Sequence, residues 1–339
     1  MKTYNKIVVG LLTLALLSVY VPMLYEYATA ESSGIPFTLY SSVENDFVKI
    51  DFDDKDNITY QSVGGKIFTE HEFDSILPYF YYRQLSADGR QLPHNMSVQQ
   101  INNTNFFFTS HPDNIKHRRP ELYSLLEANP KRLDFEMPPD VFRITRNAIE
   151  FTDIKTNKIN IEKSKMYTDA MYDAGFTFPA KLVAGNTNVR KEYDNGFLVL
   201  DDNSQLFNLK MIDDKPFVQK IDHNINIRNM FVTEFPSRRT LAFVCDKDNR
   251  FHILTSELEW IMTPFVFDEL SQHMTLIGNA EDMTVVIDGE QQRDIYAVGL
   301  KYSNDKNSAI HGHQLPLIKK MSYEKRQNSV SHISPLNWL

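Results

Sequence analysis

Thr240-Leu241-Ala242-Phe243-Val244, then Asp246-Lys247-Asp248-Asn249, then Arg250-Phe251-His252-Ile253-Leu254, sets a polar turn between two apolar runs. Aromatic and β-branched residues on both arms suit a pleated surface, and Asp and Asn supply turn chemistry, so the stretch reads as an antiparallel hairpin. The same order occurs twice more. Gly196 to Leu200 passes through Asp201-Asp202-Asn203-Ser204 into Gln205 to Lys210, and Asp282 to Ile287 passes through Asp288-Gly289 into Ile295 to Val298. The turns begin at 201, 246 and 288, spacings of 45 and 42. Strand, Asp/Asn turn, strand at a period of about 40–50 residues marks β-propeller blades: one small sheet cannot bury both faces, whereas radially packed sheets can.

Two further hairpins extend the pattern toward the amino terminus. Phe47 to Phe52 turns through 53–57 into Ile58-Thr59-Tyr60, and Val141 to Ile144 faces Ala148 to Phe151 across Arg146-Asn147. Short helices are expected at Phe73 to Pro78, Leu122 to Ala128 and Ser164 to Asp173. The expectation is a mainly β chain with a β-propeller-like domain over residues 37–302. A β-sandwich or an irregular β-rich fold is the alternative.

Ile7 to Tyr25 is a run of nineteen residues without a charge, with Lys2 and Lys6 before it and Glu26 after it. About 20 apolar residues cross a hydrocarbon core of roughly 30 Å, so the run reads as a transmembrane helix. No Lys or Arg occurs between Lys6 and Lys49, and the positive side stays in the cytoplasm. Residues 1–6 are then a cytoplasmic tip, 7–25 a single membrane span, 26–36 a linker, and the rest is translocated. Ala28-Thr29-Ala30 would also suit signal-peptidase cleavage after Ala30, but the apolar run exceeds the usual ~7–15 residues of a signal.

Composition narrows the partners. The 339 residues carry 44 acidic and 36 basic side chains, a net charge of −8, which argues against nucleic acid. The single cysteine, Cys245, excludes a disulfide framework and lies in an apolar run, which reads as a buried thiol. A large translocated domain with one cysteine fits a bacterial periplasm better than a eukaryotic secretory route. Residues 303–339 hold Lys306, Lys319, Lys320, Lys325 and Arg326 against Asp305 and Glu324, and read as a basic, loosely ordered tail.

Chemistry is sparse. Asp51, Asp53, Lys55 and Asn57 alternate like a calcium loop but lack its Gly and its terminal Glu, so an Asp-rich turn is the better reading. His311-Gly312-His313 in the tail has no evident third ligand, and no GxSxG elbow or P-loop spacing occurs. No metal or cofactor is called for. Two groups stand out as ligand-binding candidates. Arg190, Lys191 and Tyr193 follow Gly185-Asn186 on a loop before a hairpin, where basic and aromatic groups suit an anionic or glycan ligand. Tyr81 and Arg83, in Tyr79-Phe80-Tyr81-Tyr82-Arg83, could form an aromatic face, against a core role for the same rings.

A longer motif string adds a family. It runs from Leu133-Asp134-Phe135-Glu136-Met137-Pro138-Pro139 through Ala174-Gly175-Phe176-Thr177-Phe178-Pro179 and Arg190-Lys191-Glu192-Tyr193-Asp194-Asn195-Gly196 to Phe207-Asn208-Leu209-Lys210-Met211. With the anchor and Leu77 to Arg83, this resembles an uncharacterised family of membrane-anchored bacterial envelope proteins of Bacteroidetes type, a domain of unknown function. The resemblance covers the chain from the anchor to about residue 300, implies a place beside ABC-transporter components, and assigns no catalytic residue. The expected function is a non-enzymatic periplasmic interaction or sensing module, tethered in the inner membrane and accessory to an ABC-type transporter. The alternative is an envelope glycan or peptidoglycan hydrolase using paired carboxylates on a propeller face.

Overall fold

A computed structural model describes residues 2–29, 36–52, 57–116, 121–130, 135–300 and 313–325. The chain opens with α1 (Lys2–Thr29). Its segment Lys6–Tyr25 has a mean hydropathy of 2.4, and none of it packs against the rest of the chain. Those 20 residues, at about 1.5 Å each, give one helix long and apolar enough to span a membrane.

The body continues as short elements: β1 (Phe37–Ser41), β2 (Asp46–Phe52), β3 (Ile58–Ser62), β4 (Ile67–Phe68), α2 (Glu70–Ile76), α3 (Tyr82–Ala87) and α4 (Val98–Thr104). Then come β5 (Phe106–Ser110), α5 (Pro112–Lys116), β6 (Asp140–Ile144), β7 (Ile149–Asp153), α6 (Ile161–Asp173), β8 (Leu182–Gly185), β9 (Phe197–Leu200), β10 (Leu206–Ile212) and β11 (Lys215–Ile221). The last third holds β12 (Ile227–Val232), β13 (Thr240–Asp246), β14 (Arg250–Thr255), β15 (Trp260–Val266), β16 (His273–Gly278), β17 (Asp282–Asp288), β18 (Gln292–Gly299), β19 (His313–Gln314) and β20 (Leu317–Glu324). Four sheets are meanders, β1-β2-β3-β4, β11-β10-β9-β8, β12-β13-β14-β15 with β19 added, and β16-β17-β18 with β5 and β20 on its edges. β6 and β7 pair alone.

The three repeats found in the sequence are the inner hairpins of three of these sheets: β9–β10, β13–β14 and β17–β18. The Phe47 hairpin, β2–β3, holds the same place in the first sheet, although 53–56 lie outside the described residues. These strands are apolar on both faces because both faces are covered. In β9, Phe197 and Val199 join Phe142, Phe151 and Tyr167 of the β6–β7 and α6 layer, while Leu198 and Leu200 pack on Met230, Leu241 and Val244. In β13, Val244 faces that second layer and Phe243 and Cys245 face Leu276, Met283 and Val285 of the next sheet. Tyr40 and Phe47 then meet Ile295 and Ala297, and Leu39 and Val48 meet Phe73 of α2. Side-chain alternation thus links each sheet to two neighbours.

The turn aspartates explain why these hairpins form where they do. Asp201 is fully buried; its Oδ1 accepts from Gln205 N at 2.7 Å and its Oδ2 from Thr177 N at 3.0 Å. Asp246 accepts from Asp248 N (2.9 Å) and Arg250 N (2.8 Å) and pairs with His252 Nε2 at 3.0 Å. Burial alone would raise the Asp246 carboxyl, but these donors hold it below the usual carboxylate range.

The expected helices at Phe73 and Ser164 correspond to α2, closed by a Thr69–Glu72 capping box, and to α6. Leu122 to Ala128 is not helical. Tyr123 exchanges two backbone hydrogen bonds with Phe142 (2.8 and 2.7 Å), and Ala128 N donates to Met211 O at 2.8 Å, so the segment runs extended between layers and buries Leu125 and Leu126. Part of the expected loose tail is also ordered. β20 pairs with β18 and packs Met321 and Tyr323 against Tyr40 and Phe47, because a free β18 edge beside an apolar layer favours a strand over solvated coil. His311 and residues 301–310 and 326–339 lie outside the described residues. The body is therefore a stack of antiparallel sheets behind an apolar helix, and a closed ring or barrel is not shown among the described residues.

Replacing Asp201 with Ala leaves two backbone N–H groups without acceptors, so the change is expected to cost about 1–3 kcal/mol in urea unfolding of the full chain in detergent. The exposed neighbour provides the control: Asp202→Ala is expected to stay within about 0.5 kcal/mol of wild type.

Candidate functional site

The loop carrying Arg190, Lys191 and Tyr193 joins β8 to β9 and faces Thr233 to Pro236 of the next sheet across a cavity of about 400 Å³. Arg190 and Lys191 line it. Lys191 is not available to a ligand. Its side chain is 5% exposed, and Nζ donates to Asp194 Oδ1 (2.5 Å), Asn186 O (2.6 Å) and Glu234 Oε1 (2.8 Å). Glu234 also accepts from Asn186 Nδ2 (2.6 Å) and Asn195 N (2.8 Å). Burial raises the Glu234 carboxyl in spite of these donors, and burial lowers the neighbouring Lys210.

Tyr193 turns the other way. Its hydroxyl donates to Phe235 O at 2.9 Å, the Arg238 guanidinium lies 4.7 Å from its ring, and burial followed by the Glu234 charge pushes its phenol up to about 12. Asn195 Nδ2 adds a bond to Thr233 O at 2.7 Å. These contacts join the β8–β11 sheet to the β12–β15 sheet, and of the three predicted residues only Arg190 is exposed. This motif is a buried inter-sheet tie.

A second cavity, of about 470 Å³, has different chemistry. It lies between two sheet edges, β1 and β5, with the segment after α2 on one side and β16 and β17 behind. Leu39, Ile76, Leu77 and Phe106 give it apolar walls. Phe37, Phe80 and Phe107 line it while remaining 46%, 43% and 60% exposed, so its mouth carries large apolar rings in contact with water. Phe37 and Phe80 sit 5.9 Å apart between centroids.

Among the described residues the lining contains one carboxyl, Asp282, and no Lys, Arg or His. Asp282 is 4% exposed, and among the described residues only Asn279 Nδ2 donates to its carboxyl, at 3.0 Å. Burial first, then the adjacent Glu281 charge, pushes it up to about 6. Glu281 does not line the cavity and is paired with His94. One buried polar atom of a lining residue, Asn105 Oδ1, has no hydrogen-bond partner among the described residues, although Asn105 Nδ2 donates to Tyr79 O at 2.7 Å. Small-molecule sites have this character: a largely preformed apolar volume with a few polar groups.

The predicted Tyr81 and Arg83 lie just beyond this cavity and do not line it. Tyr81 is half-buried, edge-on to Phe73 and Phe80 at 6.1 and 5.0 Å. Arg83 Nε donates to Tyr82 Oη at 3.0 Å. Helix α3 starts at Tyr82 and turns both away, leaving Pro78 to Phe80 at the cavity. Phe107 had a readable signal: in the run Phe106-Phe107-Phe108 alternate side chains face opposite ways, so one or two must point away from the core. Asp282 had none, since it opens a strand like any turn residue.

A family model described as a domain of unknown function (DUF4857) matches residues 37–298, the stacked sheets and both cavities. No curated protein matches the chain.

Removing Lys191 strands two buried carboxylates, so Lys191→Ala is expected to cost about 3–5 kcal/mol in denaturant unfolding, and adding Glu234→Gln to recover part of it. Asp282 titrates in the opposite sense from a salt-bridged carboxylate. Its folded pKa lies above the unfolded value, so its neutral form stabilises below pH 4 and that stability is lost as pH rises toward 6. Asp282→Asn is therefore expected to flatten the fall in stability across that window and to raise the melting temperature at pH 8, followed by circular dichroism.

Proposed function

The chain belongs to the DUF4857 family, a domain of unknown function, and we propose that it is a membrane-tethered interaction or sensing module rather than an enzyme. In this reading α1 is a retained single-pass anchor in a bacterial inner membrane. Lys2 and Lys6 stay in the cytoplasm and the sheets lie in the periplasm. The sheets are blades of a propeller-like body, and the addition of β5 to a sheet otherwise built from the end of the domain supports that arrangement. The body serves as an accessory to ABC-type transporter subunits.

The observation that carries the binding role is the apolar cavity with its exposed phenylalanine mouth, opening beside the first strand after the anchor. The hydrolase alternative has less support. Hydrolysis of a glycoside needs two carboxyls about 5–10 Å apart across the ligand. Among the described residues this cavity contributes Asp282 alone, and in the other, lined by Glu192 and Glu234, Glu234 is held by Lys191.

Two measurements test the reading. Cys245 is buried and its thiol is pushed far up by burial and then by Glu269, so an added surface cysteine will dominate labelling. Lys165→Cys, on an exposed face of α6, is expected to react with a membrane-impermeant maleimide in intact spheroplasts. Reaction only after lysis would reverse the orientation. For binding, full-length protein in nanodiscs is irradiated with a water-soluble aryl diazirine. Label on the body is expected to concentrate in peptides carrying Leu77–Phe80 and Phe106–Phe107 and to fall severalfold in Ser42→Trp, which fills the mouth. Label spread evenly over the body's surface would sink the binding role.

A further inference from the structure

The cavity's position and its lining together restrict what can enter it. Thr29, the last residue of α1, and Pro36, where the described body begins, are seven peptide steps apart. At no more than about 3.3–3.6 Å per residue, the body starts within about 25 Å of the helix end. Phe37, on the rim, is the next residue, so the aromatic mouth is held close to whatever surface α1 enters. Exposed apolar rings within that reach suit contact with an apolar surface.

Charge decides the head of the ligand. An anionic head would meet Asp282 with no basic side chain in the lining to offset it, and an unpaired buried charge is costly. The remaining polar side chains of the lining are uncharged, among them Ser42 at the mouth, Asn279 and Asn105. A hydroxyl can pair with polar side chains of this kind and imposes no charge. An ammonium head would be drawn to Asp282 but would surrender its hydration to apolar walls, a desolvation cost that a single carboxylate does not repay.

Resting on the binding role above, we infer that the cavity takes the hydrocarbon chain of a single-chain amphiphile with an uncharged, hydroxyl-bearing head, of monoacylglycerol type, admitted from the bilayer that holds α1. The apolar walls receive the chain, the exposed rings bridge cavity and membrane, and Asp282 with Asn105 and Asn279 selects the head.

The test uses full-length protein in nanodiscs carrying one of three lipids, each with a diazirine in a twelve-carbon chain: a monoacylglycerol, a fatty acid or an alkylamine. At pH 8 the monoacylglycerol is expected to label the cavity peptides about tenfold more than the fatty acid, a difference of about 1.4 kcal/mol. Ser42→Trp is expected to abolish that preference, and Asp282→Asn to raise fatty-acid labelling severalfold and so narrow it. Equal or stronger labelling by the fatty acid or the amine overturns the head assignment. No cavity label from any membrane-borne probe, where the water-soluble aryl diazirine does label it, overturns this inference and leaves the binding role standing. Loss of both labels overturns both. Circular dichroism on each variant separates lost binding from lost folding.

Discussion

The inner strands β9, β13 and β17 have to be apolar on both of their faces, because their sheets are covered on two sides. A half-solvated sheet would show polar residues at alternate positions, as edge strand β11 does, with Lys215, Phe217, Gln219 and Lys220 among its exposed residues. β9, β13 and β17 instead read as nearly unbroken hydrophobic runs, and each divides its side chains between two different layers. Cohesion therefore passes from layer to layer, and substitution on an inner strand disturbs two contacts at once. The aspartates at the hairpin turns matter for a related reason: Asp201 and Asp246 are buried where the strands enter the core, and their carboxylates accept from the turn's backbone N–H groups.

Hydrophobic stacking alone does not fix how two sheets are set against each other, since apolar surfaces slide with little penalty. The Lys191, Asp194 and Glu234 cluster supplies direction. Of its five hydrogen bonds at 2.5–2.8 Å, the three that reach Glu234 cross between the β8–β11 and β12–β15 sheets and are satisfied in one relative placement of the two. Such a cluster adds little net stability against a well-packed apolar equivalent, and a great deal of specificity in register when its members are all paired. The basic and aromatic loop that looked suited to a ligand is occupied by this task, with Arg190 alone left to solvent.

What could be read from the sequence was whatever is local. The inner hairpins carry their own turn chemistry and periodicity, and they appear where the repeats lie. The leading apolar helix is a matter of length and hydropathy. Non-local elements were hidden. β5 has no partner within 150 residues of itself and takes its place only because β16 offers an edge, and β20 needs the edge of β18 in the same way. Leu122 to Ala128 has helical spacing, but Phe142 and Met211 offer backbone hydrogen bonds and a site for Leu125 and Leu126 that a helix would forgo. The candidate site was approached within a few residues at Tyr81 and Arg83. It was missed because the start of α3 at Tyr82, and not the aromatic run itself, decides which rings reach the cavity.

The position of the apolar cavity comes from the same rule of double coverage. Two adjacent layers in the stack, the β1–β4 sheet and the β16–β18 sheet, meet at unpaired edges, β1 on one and β5 on the other. Between those edges there is no strand to fill the space, and the cover comes from α2, seven residues long, and the irregular chain after it. A tie across the gap is Tyr40 N donating to Thr284 Oγ1 at 2.9 Å. Entry of a ligand here breaks no ladder hydrogen bond of either sheet and exposes no inner strand, so its cost falls on side-chain packing of Phe80, Phe107 and their neighbours. A binding site placed between two inner strands would have to part a ladder first. The free edges are thus where a protein built of doubly covered sheets can admit a molecule while the stack stays intact.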